Sequence, residues 1–171
     1  MRKTKPGRPT LQDSSGAGNG IIESACLQFA KNGVSGTTNR QIAEDAKVTP
    51  AMVHYYFKNK EALYLGVLNS AFAPLLQALS GAHTLETWVT SFHAHLMERP
   101  WLPHLMIREV LPPNGQLRPF FLKDYAPYIF GSVKTLVAKE AARKKVRASF
   151  DLERHVVLLM SMLVYPFLGM E

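Results

Sequence analysis

The stretch TTNRQIAEDAKVTPAMVHYYF, residues 37–57, decides the fold because it contains two helix starts eleven residues apart. Thr37 and Thr38 supply an N-cap for the first helix, since a threonine hydroxyl accepts a hydrogen bond from a free N–H group of the first turn. Thr49 is the N-cap of the second helix, and Pro50 follows at the first helical position, where its missing N–H does no harm. The stretch therefore predicts two short helices in close succession.

A tight turn at Lys47-Val48 joins the two predicted helices. Two short helices with a turn of this kind are typical of a helix-turn-helix, whose second helix lies in the major groove of DNA. The groove is about 12 Å wide and just admits a helix, so the small side chain of Ala51 favours close approach. The apolar side chains that we expect to face inward are Ile42, Ala43, Ala46, Val53 and Phe57.

Helices are also predicted on both sides of this stretch. Before it, apolar side chains three and four residues apart mark one face of a helix from Ile21 to Asn32-Gly33. After it, Asn59 caps a long fourth helix. Helical spacing then covers Leu85–Glu98, Pro100–Val110, Leu117–Lys144 and Leu152–Leu168, with breaks at Ser80-Gly81, Pro112–Gly115 and Arg147–Ser149. Strand-like alternation is absent, so the predicted fold is all-α.

The first twenty residues differ in composition from the rest of the chain. They are rich in Gly, Pro, Ser and cations, and we expect residues 1–20 to be a mobile basic arm. Its segment Lys5-Pro6-Gly7-Arg8-Pro9 suits either a narrow A·T minor groove or non-specific attraction to phosphate. The predicted domains are this arm, a helix-turn-helix DNA-binding domain over residues 21–64, and a helical regulatory and dimerisation domain over residues 65–171.

The positive charge is concentrated at the amino-terminal end. The net charge is +7, and residues 1–60 hold nine Lys and Arg against four Asp and Glu, whereas residues 61–171 hold eleven against nine. Such an imbalance indicates either a polyanion partner at that end or a solubilising surface. Apolar residues make up 47% of the 171 residues, enough for a sizeable core.

Other classes of protein are disfavoured by what the sequence lacks. Cys26 is the single cysteine, so neither an internal disulfide nor a cysteine zinc cluster is predicted. His93 and His95 are two apart and fall on different sides of a helix, so no metal site is predicted. No nucleophile motif or phosphate-binding glycine loop is present, and the chain is predicted not to be an enzyme and to need no cofactor. Because no signal core is visible and the apolar run Val156–Leu168 is too short for a membrane span, we expect a cytoplasmic protein without membrane partners.

Three segments, residues 29–33, 37–46 and 48–63, resemble the head of the TetR/AcrR-type transcriptional regulators. The resemblance implies a three-helix head and a fourth helix that leads into a helical body for ligand binding and dimerisation. Two departures from the family pattern stand in the second short helix: Pro50-Ala51 replaces the more usual Lys-Gly, and His54 replaces an aromatic residue, often Tyr.

The resemblance implies that double-stranded DNA is contacted by residues of the two short helices and of the fourth helix. Thr38 and Lys60 would contact phosphates, and Arg40 a phosphate or a base. The expected DNA-binding residues are Thr38, Arg40, Thr49, Pro50, Ala51, His54, Tyr55, Tyr56 and Lys60. The alternatives stay open that Thr38 and Thr49 serve as caps alone and that Tyr55 packs against the first helix.

The body offers aromatic residues for a pocket that the resemblance implies. The residues expected to bind an effector are Trp88, Phe92, His95, Trp101, Phe121 and Tyr125, with His104, Met106, Phe120 and Tyr128 as further lining. They suit a hydrophobic or aromatic small molecule, unless they simply fill the core. Arg108 and Glu109 lie in an apolar segment and either form ion pairs or orient a polar ligand.

Together these features predict a ligand-responsive repressor that acts as a homodimer on a palindromic operator. The apolar run in Leu152–Leu168 would be exposed on a monomer and argues for self-association. Family members usually have two carboxy-terminal helices at the dimer interface, so either this interface uses fewer helices or the chain lacks a piece. Two alternatives stand beside this function: a ligand-independent regulator with the same head, and a small-molecule carrier whose head is vestigial.

Overall fold

The structure of the protein, a computed structural model, describes residues 11–144 and 151–169. Within those ranges the chain forms nine α-helices and no strand, which confirms the all-α prediction. The helices are α1 Leu11–Asn32, α2 Asn39–Asp45, α3 Pro50–Tyr56, α4 Lys60–Ser80, α5 Leu85–Glu98, α6 Trp101–Leu105, α7 Arg118–Asp124, α8 Ala126–Arg143 and α9 Leu152–Val164. A π-helical turn, Met106–Val110, continues α6, and a 3₁₀ turn, Tyr165–Leu168, continues α9.

The first helix begins earlier than the sequence pattern predicts. Its expected start at Ile21 is wrong, because α1 begins at Leu11, inside the segment that was expected to be a mobile arm. That part of α1 contains three glycines and few apolar side chains, so it lacks the periodicity by which a helix is recognised. The aromatic ring of Tyr56 packs beside Gly18, where a Cβ would lie 3.5 Å from the ring. The segment Lys5–Pro9 lies outside the described residues.

The helices α1, α2 and α3 form the head and share one small core. Ile42, Ala43 and Val53 are buried as predicted, whereas Ala46 and Phe57 are only half-buried. Ser24 is buried in α1 and donates its hydroxyl hydrogen to the carbonyl of Ile42 at 3.0 Å. This bond ties α1 to α2, since a buried hydroxyl is costly unless it has a partner.

Cys26, in α1, is also buried. Its side chain is 1% exposed, and burial raises the pKa of the thiol to about 12. Because the thiolate and not the thiol is the reactive form, Cys26 is inert at neutral pH in the folded protein.

The body is organised around α4, which begins beside the head and ends inside the body. Its buried side chains include Val67, Leu68, Ala71 and Leu75, and α4 packs against α1, α5 and α8. Among the described residues it is the one helix long and apolar enough to cross a membrane. In the structure 44% of that window is buried inside the protein.

Two polar side chains of α5 are fixed inside the body. His95 is 5% exposed, and its Nε2 lies 2.7 Å from the carbonyl oxygen of Ala71, so this nitrogen carries the hydrogen. Desolvation by burial lowers the pKa of His95, which favours the neutral ring. Trp88 is fully buried and donates its Nε1–H to the hydroxyl of Ser132 at 2.8 Å. These bonds join α5 to α4 and α8.

Two helices predicted as continuous are divided in the structure. Residues 100–110 form α6 and then the π-helical turn, in which the N–H of Leu111 donates to the carbonyl of Met106 at 2.8 Å. Residues 117–144 form α7 and α8, with the break at Tyr125, two residues before Pro127. Pro127 has no N–H to donate to the carbonyl of Lys123 four residues earlier, which explains a break there. The predicted break at Arg147–Ser149 lies outside the described residues.

Candidate nucleic-acid interface and effector cavity

The helix α3 has one buried face and one exposed face. The hydroxyl oxygen of Thr49 accepts a hydrogen bond from the N–H of Met52 at 3.4 Å and caps the helix. Val53 anchors the inner face at 1% exposure. On the outer face Ala51 and His54 are exposed, and Tyr55 is 77% exposed. The alternative that Tyr55 packs against α1 is therefore wrong, and α3 presents small, polar and aromatic groups to solvent.

The start of α2 is held by a reciprocal pair of hydrogen bonds. The N–H of Gln41 donates to the hydroxyl of Thr38 at 3.2 Å, and the N–H of Thr38 donates to the side-chain oxygen of Gln41 at 2.8 Å. This capping box fixes the first turn of α2. Arg40 is exposed and forms an ion pair with Glu44 at 2.9 Å, an arrangement worth little at a surface. An anion such as a phosphate could therefore displace Glu44 from Arg40 at a small cost in free energy.

Lys60 is the first residue of α4, directly after the head. The side chain of Asn59 accepts a hydrogen bond from the N–H of Ala62 at 2.8 Å and caps this helix. Lys60 is exposed, and no hydrogen bond or ion pair within the described residues involves its side chain. Two further exposed cations, Lys47 and Lys58, lie in the connections on either side of α3. Sequence reasoning did not count them among the DNA-binding residues, although both stand inside the helix-turn-helix segment.

The structure places eight of the nine expected DNA-binding residues at the surface of the head or at the start of α4. The exposed eight are Thr38, Arg40, Thr49, Pro50, Ala51, His54, Tyr55 and Lys60. Tyr56 differs because it is half-buried and lies between Gly18 of α1 and the ring of Tyr55, at a centroid distance of 5.3 Å. Tyr56 therefore supports the seating of α3 on α1.

Lys47 is the one described non-glycine residue with a positive φ angle, at 55°. A side chain in this left-handed region costs roughly 1 kcal/mol, and glycine avoids the cost. We expect Lys47→Gly to raise the free energy of unfolding by about 0.5–1 kcal/mol while it removes one cation from the turn. Urea unfolding of both proteins measures the change, and Lys58→Gly serves as the control for loss of charge. A lower stability of Lys47→Gly would contradict the strain at this turn.

The body contains an apolar cavity of about 360 Å³. Its wall comes from α4, α5, α6, the π-helical turn, α7, α8 and α9. The lining residues are Phe72, Leu75, Phe92, Leu96, Leu102, Pro103, Met106, Ile107, Leu111, Phe121, Ile129, Phe130, Val157, Met160, Ser161, Val164 and Tyr165. No charged side chain contributes to the wall, so the cavity favours an uncharged, apolar occupant.

The structure separates the residues that were expected to bind an effector. Phe92 and Phe121 line the apolar cavity. Trp88, His95 and Tyr125 do not line it: they are buried in the core. Sequence reasoning missed most of the wall because aliphatic side chains at helical spacing do not reveal whether they face a core or a cavity.

Trp101 lines a different space, a polar cleft of about 600 Å³ between α1 and the body. Glu23, Cys26 and Arg99 also line this cleft, so it differs in chemistry from the apolar cavity. Among residues 11–144 and 151–169, no group of three His, Cys, Asp or Glu side chains is placed to hold a metal ion.

A stripe of exposed apolar side chains runs along α9. Val157, Leu158 and Met162 are 58%, 59% and 73% exposed, and Tyr165 in the following turn is 76% exposed. Leu158, Met162 and Tyr165 are four and three residues apart, and Val157 adjoins Leu158, so the four side chains lie on one broad side of the helix. We call Val157, Leu158, Met162 and Tyr165 the α9 face. It leaves more apolar surface in contact with water than scattered surface residues would.

A three-helix head with an exposed second short helix, attached to a helical body, defines a helix-turn-helix DNA-binding protein. The family described as "Bacterial regulatory proteins, tetR family" matches residues 21–67. The match assigns residues 21–67 to the DNA-binding segment of that family.

Relatives and solved structures agree with this assignment. The chain is 28% identical over 163 residues to the "Probable HTH-type transcriptional regulator YttP" of Bacillus subtilis, a match that covers 86% of this chain and 75% of that protein. It is 38% identical over 58 residues to the "HTH-type transcriptional repressor NicS" of Pseudomonas putida, which covers 34% of this chain and 27% of that protein. The crystal structure of HlyIIR, "a Hemolysin II transcriptional Regulator", shares the fold with a TM-score of 0.69 at 24% identity, over 90% of this chain and 88% of that chain. Each of these three proteins is named as a transcriptional regulator or repressor.

Proposed function

We propose that the protein is a ligand-responsive repressor that binds a palindromic operator as a homodimer in the cytoplasm. The observation that carries the proposal is the exposed outer face of α3, where Ala51, His54 and Tyr55 stand free beside the exposed cations of the head. A helix with this surface fits the major groove, and a pair of such heads reads two half-sites about 34–36 Å apart or somewhat more. The word "repressor" in the name of NicS supports the sign of regulation.

The roles at the DNA follow from where the side chains lie. Thr49, Pro50 and Ala51 form the leading end of α3, and His54 and Tyr55 follow on its outer face. We assign base contacts to this helix. Phosphate contacts are assigned to Thr38, Arg40 and Lys60, since a backbone contact fixes the register without reading sequence. Tyr56 has the supporting role described above.

The effector is an uncharged, apolar or aromatic small molecule held in the cavity of the body. The lining side chains offer two hydroxyl groups, those of Ser161 and Tyr165, and no charge, so the cavity has little to offer a charged ligand. The effector lowers operator affinity only as far as it prefers the conformation whose heads are wrongly spaced for DNA. The size of the cavity, about 360 Å³, is at the small end for ligand pockets.

The homodimer is supported by the α9 face. Its four large apolar side chains have no cover within the described residues, and a second copy of the same face is the simplest cover because symmetric dimers use one surface twice. A palindromic operator follows from the same symmetry.

The experiment that tests the function is binding to DNA from the region flanking the protein's own coding sequence, measured by fluorescence anisotropy. Random duplex serves as the control, and the salt concentration is varied. We expect tight, salt-sensitive binding that favours the flanking DNA. Equal binding to all regions flanking the gene and to random duplex would contradict a local operator. No salt-dependent binding to either DNA would instead favour a carrier with a vestigial head.

Lys60 tests the assignment of phosphate contacts. We expect Lys60→Ala to weaken binding to operator and to random DNA by the same factor and to flatten the salt dependence by about one counterion. Titrations at several salt concentrations measure both quantities. Lys139→Ala, which removes an exposed lysine of α8, is the control and should change neither. A loss confined to the operator would contradict the assignment.

A further inference from the structure

Glu109 is a buried carboxylate of the body whose hydrogen-bond partners include the head. It is 7% exposed and belongs to the π-helical turn. One of its carboxylate oxygens accepts a hydrogen bond from the N–H of Val34, 75 residues earlier in the chain, at 2.7 Å. Its other oxygen accepts from the N–H of Gln116 at 3.3 Å. Within the described residues Glu109 forms no ion pair, so the expectation of ordinary ion pairing is wrong and backbone N–H groups satisfy the carboxylate.

The loop that receives this carboxylate directly follows α1. Gly33 ends the helix with a φ angle of 74°, and a Cβ there would lie 2.9 Å from the nearer oxygen of Glu109. Glycine therefore serves both the left-handed turn and the close approach. The next residue, Val34, is buried, and its N–H donates a hydrogen bond to a carboxylate of the body. A hydrogen bond to a charged acceptor is stronger than one between neutral groups, so this contact fixes the loop that leads into α2.

Gln116 makes a second connection between the same parts. Its side-chain nitrogen donates to the hydroxyl of Ser35 at 2.7 Å, and its side-chain oxygen accepts from the hydroxyl of Tyr64 at 2.8 Å. The N–H of the next residue, Leu117, donates to the carbonyl of Glu109 at 3.1 Å. The body thus holds the loop of the head through the adjacent side chains of Glu109 and Gln116.

The turn that carries Glu109 also forms part of the cavity wall. Met106 and Ile107 line the cavity, and Leu111, which closes the π-helical hydrogen bond to Met106, lines it as well. Glu109 stands between these residues in sequence but is bonded to the head. Short π-helical turns are rare and occur frequently at functional sites. A molecule that displaces Met106 or Ile107 must therefore move or strain the turn that carries the carboxylate.

We infer that Glu109 is a positioning residue that docks the α1–α2 loop of the head onto the wall of the apolar cavity, so that an occupant of the cavity changes the seating of the head. The inference rests on the proposal that this cavity holds the effector. The contact that we expect an occupant to weaken is the hydrogen bond that the Val34 N–H donates to Glu109.

The test uses the full chain and N-phenyl-1-naphthylamine, a neutral aromatic probe whose fluorescence reports binding to apolar sites. Amide hydrogen exchange is followed by NMR with and without the probe. Occupancy of the cavity should accelerate exchange of the Val34 amide about tenfold. In Glu109→Gln the Val34 amide should exchange about tenfold faster than in the wild type when no probe is present. The probe should bind this variant with unchanged affinity and should not accelerate exchange at Val34 any further. Glu86→Gln, the same change at an exposed site of the body, should behave as the wild type.

A bound probe that leaves exchange at Val34 unchanged overturns the inference alone. The same holds for a probe response that survives in Glu109→Gln. Absence of any fluorescence change on titration overturns both the inference and the proposal that the cavity takes an effector. The fluorescence titration therefore distinguishes the two failures. If Glu109→Gln does not fold, Gln116→Ala is used in its place. This change removes the hydrogen bond to Ser35, and the probe should then accelerate exchange of the Val34 amide less than it does in the wild type.

Discussion

The double variant Leu158→Glu/Met162→Glu is expected to be monomeric and to lose about 100-fold or more in operator affinity. Both side chains belong to the α9 face, and a carboxylate pressed against the same face of a second copy has no partner for its charge. Joining two heads raises the affinity for a two-part site by roughly 10²–10⁴, and a monomer forfeits that gain. Light scattering coupled to gel filtration measures the mass, and anisotropy titration measures the affinity.

The control for this variant is Met97→Glu, which adds a carboxylate at a half-exposed methionine of α5 that is not part of the α9 face. It should remain dimeric and bind DNA as the wild type does. A double variant that is still dimeric would place the interface elsewhere. A monomeric wild type that binds the operator tightly would contradict the homodimer itself.

His54→Ala is expected to lower affinity for the operator by about 1–3 kcal/mol and to leave affinity for random duplex nearly unchanged. His54 stands on the outer face of α3, and no hydrogen bond or ion pair within the described residues involves its side chain. Its loss should therefore leave the head intact and remove a base contact, which is worth about that much in discrimination.

The ratio of the two dissociation constants at one salt concentration is the quantity to compare. His83→Ala, which removes an exposed histidine from the connection between α4 and α5, is the control and should leave the ratio unchanged. Equal losses on operator and random duplex would make His54 a backbone contact. An unchanged ratio with unchanged affinity would remove it from the interface.

The starts of three helices in and beside the head could be predicted because capping is local. Thr38, Thr49 and Asn59 each accept a hydrogen bond from an N–H three residues farther along. All the information needed for such a contact lies within one turn of chain. For the same reason Val53 could be assigned to the core and its neighbour His54 to the surface: the period of a helix decides both.

The early start of α1 and the division at Met106 could not be predicted in this way. Residues 11–20 lack an apolar face, and their helix includes Gly18, against which the distant Tyr56 packs. The π-helical turn contains Glu109, whose carboxylate accepts a hydrogen bond from the head. In each case a contact far away in sequence offsets a weak local preference.

The cavity proposed for the effector was the least predictable part of the molecule. Aromatic residues drew attention to Trp88 and Tyr125, which fill the core, while aliphatic residues such as Leu75 and Leu102 form much of the wall. A side chain has the same hydropathy whether it packs against a neighbour or borders a void. Only the relative placement of several helices distinguishes the two.

The buried state of Cys26 has a practical consequence for measuring the distance between the two heads of the proposed homodimer. Because the single native thiol does not react at neutral pH, one cysteine introduced on an exposed position of the head would take a spin label alone. A pair of subunits would then carry two labels at equivalent positions. Pulsed electron resonance would give the distance between them in ångströms, with and without a candidate effector, in a protein whose own cysteine need not be removed.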